Sequence, residues 1–142
     1  MIAPGIAAHS SGLAVEPLAF ALEADEVRRL VSIGFHAVLN GKPEAAQRLF
    51  EGLSVVRPDH GFPRIGCALA LMQKGKAEEA VRVLERALRR CPNDEQVRVF
   101  LGMSLRMANR VCQAGAVLAP LAARSGDSAG TRFARQLLKL SL

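Results

Sequence analysis

The side chains in this 142-residue chain that could perform chemistry are three histidines, three cysteines, 13 acids and 19 lysines or arginines. Their spacing assembles no catalytic or metal-binding constellation. His9, His36 and His60 are scattered, and no H-E-x-x-H run sets two imidazoles one helical turn apart around a carboxylate. Cys67, Cys91 and Cys112 are odd in number and lack a C-x-x-C spacing, so neither a zinc knuckle nor a disulfide framework is expected. Cys67 and Cys112 fall in apolar stretches and read as small packing residues. Cys91 precedes Pro92 at a helix end and has no neighbouring base to activate it. No glycine-rich phosphate loop is present, because Gly61 and Gly66 belong to a helix boundary and to helix packing. The expectation is a protein that is not an enzyme and takes no cofactor and no metal.

The formal charge is +6 and the isoelectric point about 10, a balance often used to meet nucleic acid, anionic lipid or acidic proteins. Here bases alternate with acids. Glu78 with Arg82 and Glu85 with Arg89 are spaced for i,i+4 pairs on a solvated helix face. No basic cluster is interleaved with aromatics that would stack bases, so nucleic acid is not expected as a partner. Unpaired thiols suit a reducing compartment. The first basic residue is Arg28, which argues against a signal peptide or mitochondrial presequence. No apolar run approaches membrane-spanning length. A cytoplasmic protein without membrane insertion is the expectation.

The elements that must position these groups are helices. Half the residues are hydrophobic and Trp and Tyr are absent, so a core of Leu, Val, Ala, Met and Phe is implied. Residues 1 to 24 read as a flexible arm. Within it, residues 13 to 24 would form either a short helix on the first hairpin or a contact for a homodimer. Asp25-Glu26 opens a segment whose apolar residues follow helical spacing from Val27 to Val38, and Asn40-Gly41 closes it. Pro43 suits the first turn of the next helix. Residues 61–74 and 77–90 repeat the pattern, and Asp94 offers a cap for a fifth helix. Val111 to Ala123 make a sixth, and a last segment carries Phe133, Leu137 and Leu138.

These segments echo one another at an offset of 34 residues. Gly41-Lys42-Pro43-Glu44-Ala45-Ala46 aligns with Gly75-Lys76-Ala77-Glu78-Glu79-Ala80, and a further step reaches Asn109 and Ala114. Close-approach positions on the first helices are Gly34, Ala68 and Gly102, and turn positions are Gly41, Gly75 and Asn109. Small positions on the second helices are Ala46, Ala80 and Ala114, each followed four residues later by Phe50, Leu84 or Leu118. Pro58 and Pro92 end the first two units, while Gly126 stands in the third. The unit resembles the tetratricopeptide repeat over about residues 27–128. Leu30, Arg64 and Arg98 occupy positions where that family commonly has Trp, and Ala37, Leu71 and Leu105 where it has Tyr.

The resemblance implies an all-α solenoid of three helical hairpins, about 27–60, 61–94 and 95–128, with a capping helix in 129–142, the whole domain spanning 25–142. It also implies an inner face lined by the first helix of each hairpin. That assigns a partner groove to Val31, Phe35 and Leu39, to Phe62, Ile65, Leu69 and Met72, and to Val99, Met103, Arg106 and Met107. The stripe is almost wholly apolar, and its methionines suit an adaptable surface. A clamp for a C-terminal carboxylate is missing, since Val31, Phe35, Gly66, Gln96 and Phe100 occupy those positions. In size and groove chemistry the chain is similar to the small chaperones of bacterial type III secretion. It is therefore expected to hold a helical or extended segment of an export substrate. The alternative is a general scaffold for a secretion, pilus or envelope complex, docking an acidic partner on a basic outer face.

Overall fold

A computed structural model describes residues 22–140, and the short-helix and self-association expectations for residues 13–24 fall almost wholly outside it. Seven helices and no strand occur among the described residues. They are α1 (Ala24–Leu39), α2 (Pro43–Val56), α3 (Phe62–Gln73), α4 (Ala77–Arg90), α5 (Glu95–Met107), α6 (Val111–Ala122) and α7 (Ala129–Lys139). Each packs on the next, and α1, α3, α5 and α7 also touch in sequence, forming one layer of a helical-hairpin solenoid.

The joints inside the three hairpins are identical. Gly41, Gly75 and Asn109 have φ of 70°, 77° and 63°. In each, the following amide closes a long-range bond over the helix end: Lys42 to Ala37, Lys76 to Leu71 and Arg110 to Leu105, all at 2.8 Å. This is the left-handed helix stop that glycine makes without strain, and asparagine is the residue that most readily replaces it.

Where two helices of a hairpin cross, one side chain fills the space that a missing Cβ leaves. A Cβ on Gly34 would lie 2.6 Å from Phe50 Cζ, and one on Gly102 would lie 2.6 Å from Leu118 Cδ2. A Cβ on Gly66 would overlap the Cγ end of the same Phe50 ring. Phe50, Leu84 and Leu118 are fully buried, as are Ala46 and Ala80 beside them, so the small and large positions of the repeat build the core.

Two positions where the tetratricopeptide repeat commonly carries Trp hold arginine here. The guanidinium of Arg64 donates to the Pro58 carbonyl at 3.0 Å, and that of Arg98 donates to the Pro92 carbonyl at 3.1 Å. Each arginine thereby satisfies a carbonyl in the turn that leads into its own helix. Consecutive units are further tied by ion pairs, Glu44–Lys74, Asp59–Arg90 and Glu78–Arg110, at 3.1, 3.0 and 3.0 Å, and Glu95–Arg124 at 2.6 Å spans the third unit from its first residue to the segment after α6. The expected i,i+4 pairs do not form. Glu78 reaches Arg110 of the next hairpin instead of Arg82, and Glu85 makes no ion pair with Arg89. An exposed pair on one helix gains only ~0.3–0.5 kcal/mol, too little to hold two long side chains in place.

The capping helix continues the register of the repeat. Ser128 accepts from the Thr131 amide at 3.1 Å, as Asp94 accepts from the Val97 amide at 3.1 Å, exactly one period earlier in sequence terms. Buried Thr131 and Ala134 replace Val97 and Phe100 of α5. Thus α7 packs as the first helix of a fourth unit. Its position equivalent to Gly102 is Gln136, which is exposed because no second helix crosses it among the described residues. Two arrangements fasten it. Glu95 binds Arg124 and accepts from Ser128 Oγ at 2.8 Å, while Arg135 donates to the carbonyls of Ala122 and Arg124 at 3.0 and 2.7 Å.

Candidate functional site

The layer formed by α1, α3, α5 and α7 carries an apolar cavity of about 300 Å³. Phe35 enters from α1, Phe62 and Ile65 from α3, and Gln96, Val99 and Phe100 from α5. The far wall is Ala129, Gly130 and Phe133 of α7. Four of the chain's six phenylalanines meet here. Phe35 stacks on Phe50 with ring centroids 4.9 Å apart, which fixes its ring against the core. Phe133 is 45% exposed, a large apolar area for a side chain with no covering element among the described residues.

The repeat explains this convergence. Phe62, Gln96 and Gly130 are one period apart, as are Ile65, Val99 and Phe133. Equivalent positions of successive first helices therefore line the same concavity. Gly130 lets α7 approach α5 closely, since a Cβ there would lie 2.8 Å from Glu95 Oε2.

Among the groove residues expected from sequence, Phe35, Phe62, Ile65 and Val99 are brought together in this cavity. Ile65 and Val99 are nearly buried and form its floor. Val31, Leu69 and Met103 are partly buried and pack beside the core clusters. Met72 lies inside the core, its sulfur 3.3 Å from Ser104 Oγ, and presents almost no surface. Leu39 and Met107, the last residues of α1 and α5, are exposed and do not line the cavity. Arg106 donates to the Leu140 carbonyl at 2.5 Å and so secures the end of α7. The cavity is thus lined by phenylalanine, not by methionine. Phe133 lies on the helix expected to cap the stack and carries no groove signal of its own in the sequence, although one more step of the period from Val99 reaches it.

No group of three His, Cys, Asp or Glu side chains among the described residues could hold a metal ion. Cys67 is buried, which pushes its thiol from the ordinary 9.0 up to about 12, with the Glu51 carboxylate adding to the shift, so it carries no thiolate near neutrality. No helix among the described residues is long and apolar enough to cross a membrane. The arrangement offers apolar area framed by aromatic rings.

The fold is a helical-hairpin solenoid of three tetratricopeptide-like repeats with a C-terminal capping helix. The tetratricopeptide repeat family model matches residues 63–104, the second hairpin and the start of the third. Among solved structures, the chain is similar to the type III secretion translocator chaperone SycD of Yersinia enterocolitica, with a TM-score of 0.67 and 16% identity over 84% of this chain and 86% of that one. It is similar also to PcrH, solved in complex with the chaperone binding region of PopB, with a TM-score of 0.65 and 20% identity over 82% and 98% of the two chains. No curated protein matches the chain in sequence.

Proposed function

We propose that the protein is a cytoplasmic chaperone of a bacterial type III secretion system and holds an apolar segment of an export substrate against the phenylalanine cavity. The observation that carries this reading is the cavity itself, half-open and aromatic, in a fold shared with two translocator chaperones. PcrH was solved with a segment of its own partner, which supports a protein segment as the occupant. An apolar surface rimmed by polar residues needs a cover. A substrate segment that would otherwise self-associate gains one by occupying it, and mass action then withdraws that segment from assembly.

The test uses titration calorimetry against peptides that tile the translocator and needle subunits of the same secretion system. Phe133→Asp and Phe100→Asp each place a carboxylate in the cavity, and each should weaken the binding peptide by at least ~2 kcal/mol. Phe133 is half-exposed, so its substitution spares the fold. Binding should persist when salt is raised, because apolar contact is not screened. Unchanged affinity in both variants would remove the cavity from the function.

A further inference from the structure

A second concavity lies on the other side of the solenoid, between α2 and α4 and above α3, with a volume of about 570 Å³. Its rim carries Arg64, Arg86, Arg89 and Arg90, against a single acid, Glu51. Cys67, Leu71 and Val83 form an apolar floor. We propose that this outer cleft binds an acidic protein segment whose carboxylates meet the arginine rim while an apolar side chain between them reaches the floor.

Three observations carry the proposal. The first is the state of the arginines. Arg86 and Arg64 donate only to backbone carbonyls, of Arg82 and Pro58, and Arg89 makes no ion pair among the described residues. Arg90 alone is engaged, with Asp59 at 3.0 Å. Glu85, spaced to neutralise Arg89, does not do so. Guanidinium groups gathered without carboxylates repel one another and favour an anion. The second is the lone acid's own engagement. Glu51 accepts from Gln47 at 2.9 Å along α2 and makes no ion pair with the arginines of the cleft. The third is the floor. Three apolar side chains suit a chain with alternating acidic and apolar residues. No aromatic residue lines the cleft, so it lacks the stacking surface that single-stranded nucleic acid uses.

The cleft and the phenylalanine cavity draw on opposite faces of α3, through Cys67 and Leu71 on one side and Phe62 and Ile65 on the other. One solenoid therefore offers an apolar site and a basic site whose occupants do not collide.

The probe is a fluorescein-labelled peptide of repeated Glu-Glu-Leu triplets, followed by fluorescence anisotropy at low salt, with a Gln-Gln-Leu peptide as its neutral counterpart. The acidic peptide should bind and the neutral one should bind at least ~tenfold more weakly. Arg86→Glu with Arg89→Glu should cost the acidic peptide at least ~tenfold in affinity, and Arg86→Gln with Arg89→Gln a smaller loss in the same direction. The matched reversal Arg28→Glu with Arg132→Glu, on α1 and α7, should leave binding within ~twofold. Circular dichroism of each variant identifies any that unfolds, and the glutamine pair then decides. The proposal fails if the acidic peptide does not bind, if the neutral peptide binds equally well, or if both pairs of reversals weaken binding alike. It fails also if oligothymidylate competes as effectively as unlabelled acidic peptide, an outcome that would make the cleft a nucleic-acid site.

Discussion

Replacing Gly66 by alanine tests the packing logic of the whole stack at one atom. The added Cβ would overlap the Cγ, Cδ1 and Cδ2 atoms of Phe50. The ring has nowhere to go. Gly34 meets its Cζ end, where another Cβ would come within 2.6 Å, Phe35 stacks on it, and the side chain is fully buried. Overpacking a core costs ~1–3 kcal/mol, and a clash with three atoms of a confined ring belongs near the upper end. Alanine recovers ~1 kcal/mol of helix preference over glycine, leaving a net loss of about 2 kcal/mol. The chain has no Trp or Tyr, so urea unfolding is best followed by circular dichroism. With a slope near ~2 kcal/mol per molar, the midpoint should fall by about 1 M. Combining Gly66→Ala with Phe50→Leu, which mimics the Gly102–Leu118 crossing of the third hairpin, should be less damaging than the sum of the two by at least ~1 kcal/mol. If Gly66→Ala is as stable as the parent, the ring is free to move and the glycine is not required for close approach.

Asn109 holds a left-handed φ of 63°, so Asn109→Ala should cost ~1 kcal/mol and Asn109→Gly should be neutral or slightly stabilising in the same unfolding assay. Cys67 is buried and Cys112 exposed, so a thiol-labelling reagent should modify Cys112 at once in the folded protein and Cys67 only as the protein unfolds. Burial raises the Cys67 thiol from 9.0 to about 12, so the unfolded chain loses that proton first. The contribution of Cys67 to stability is therefore complete below pH 9 and declines between 9 and 12, by at most ~1.4 kcal/mol per pH unit, a slope that Cys67→Ala should abolish when denaturant midpoints are compared. Glu95→Gln weakens the Arg124 and Ser128 contacts that fasten α7, and should raise amide exchange in α7 before it affects α3 or α4.

The fold was legible because the repeat records volume. Gly34, Ala46 and Phe50 announce a helix crossing whatever else surrounds them, and the left-handed joints at Gly41, Gly75 and Asn109 follow from turn chemistry alone. The inner face was legible in part. Helical periodicity separates one side of a helix from the other, yet it cannot say whether Met72 ends beneath Ser104 or in solvent, because that depends on where α5 crosses α3. Ion pairing was the least legible. A spacing of four residues made Glu78 and Arg82 look like partners, whereas Arg110, 32 residues away, is the one in reach. Arg64 and Arg98 carry no sequence signal for their carbonyl contacts until the turn is folded.

Phe133 stands on the last described helix, which packs on α5 and α6, and Phe35 stands on α1 at the opposite wall of the same cavity, with α3 and α5 between them. Any occupant that touches both rings recognises a distance that exists only while α7 is seated. Occupancy and seating are then thermodynamically linked: each kilocalorie by which the occupant favours the seated helix is returned as stability of the C-terminus, and loosening α7 must weaken the occupant by the same amount. The end of the solenoid thus works as a latch whose strength is read at a site it only partly builds.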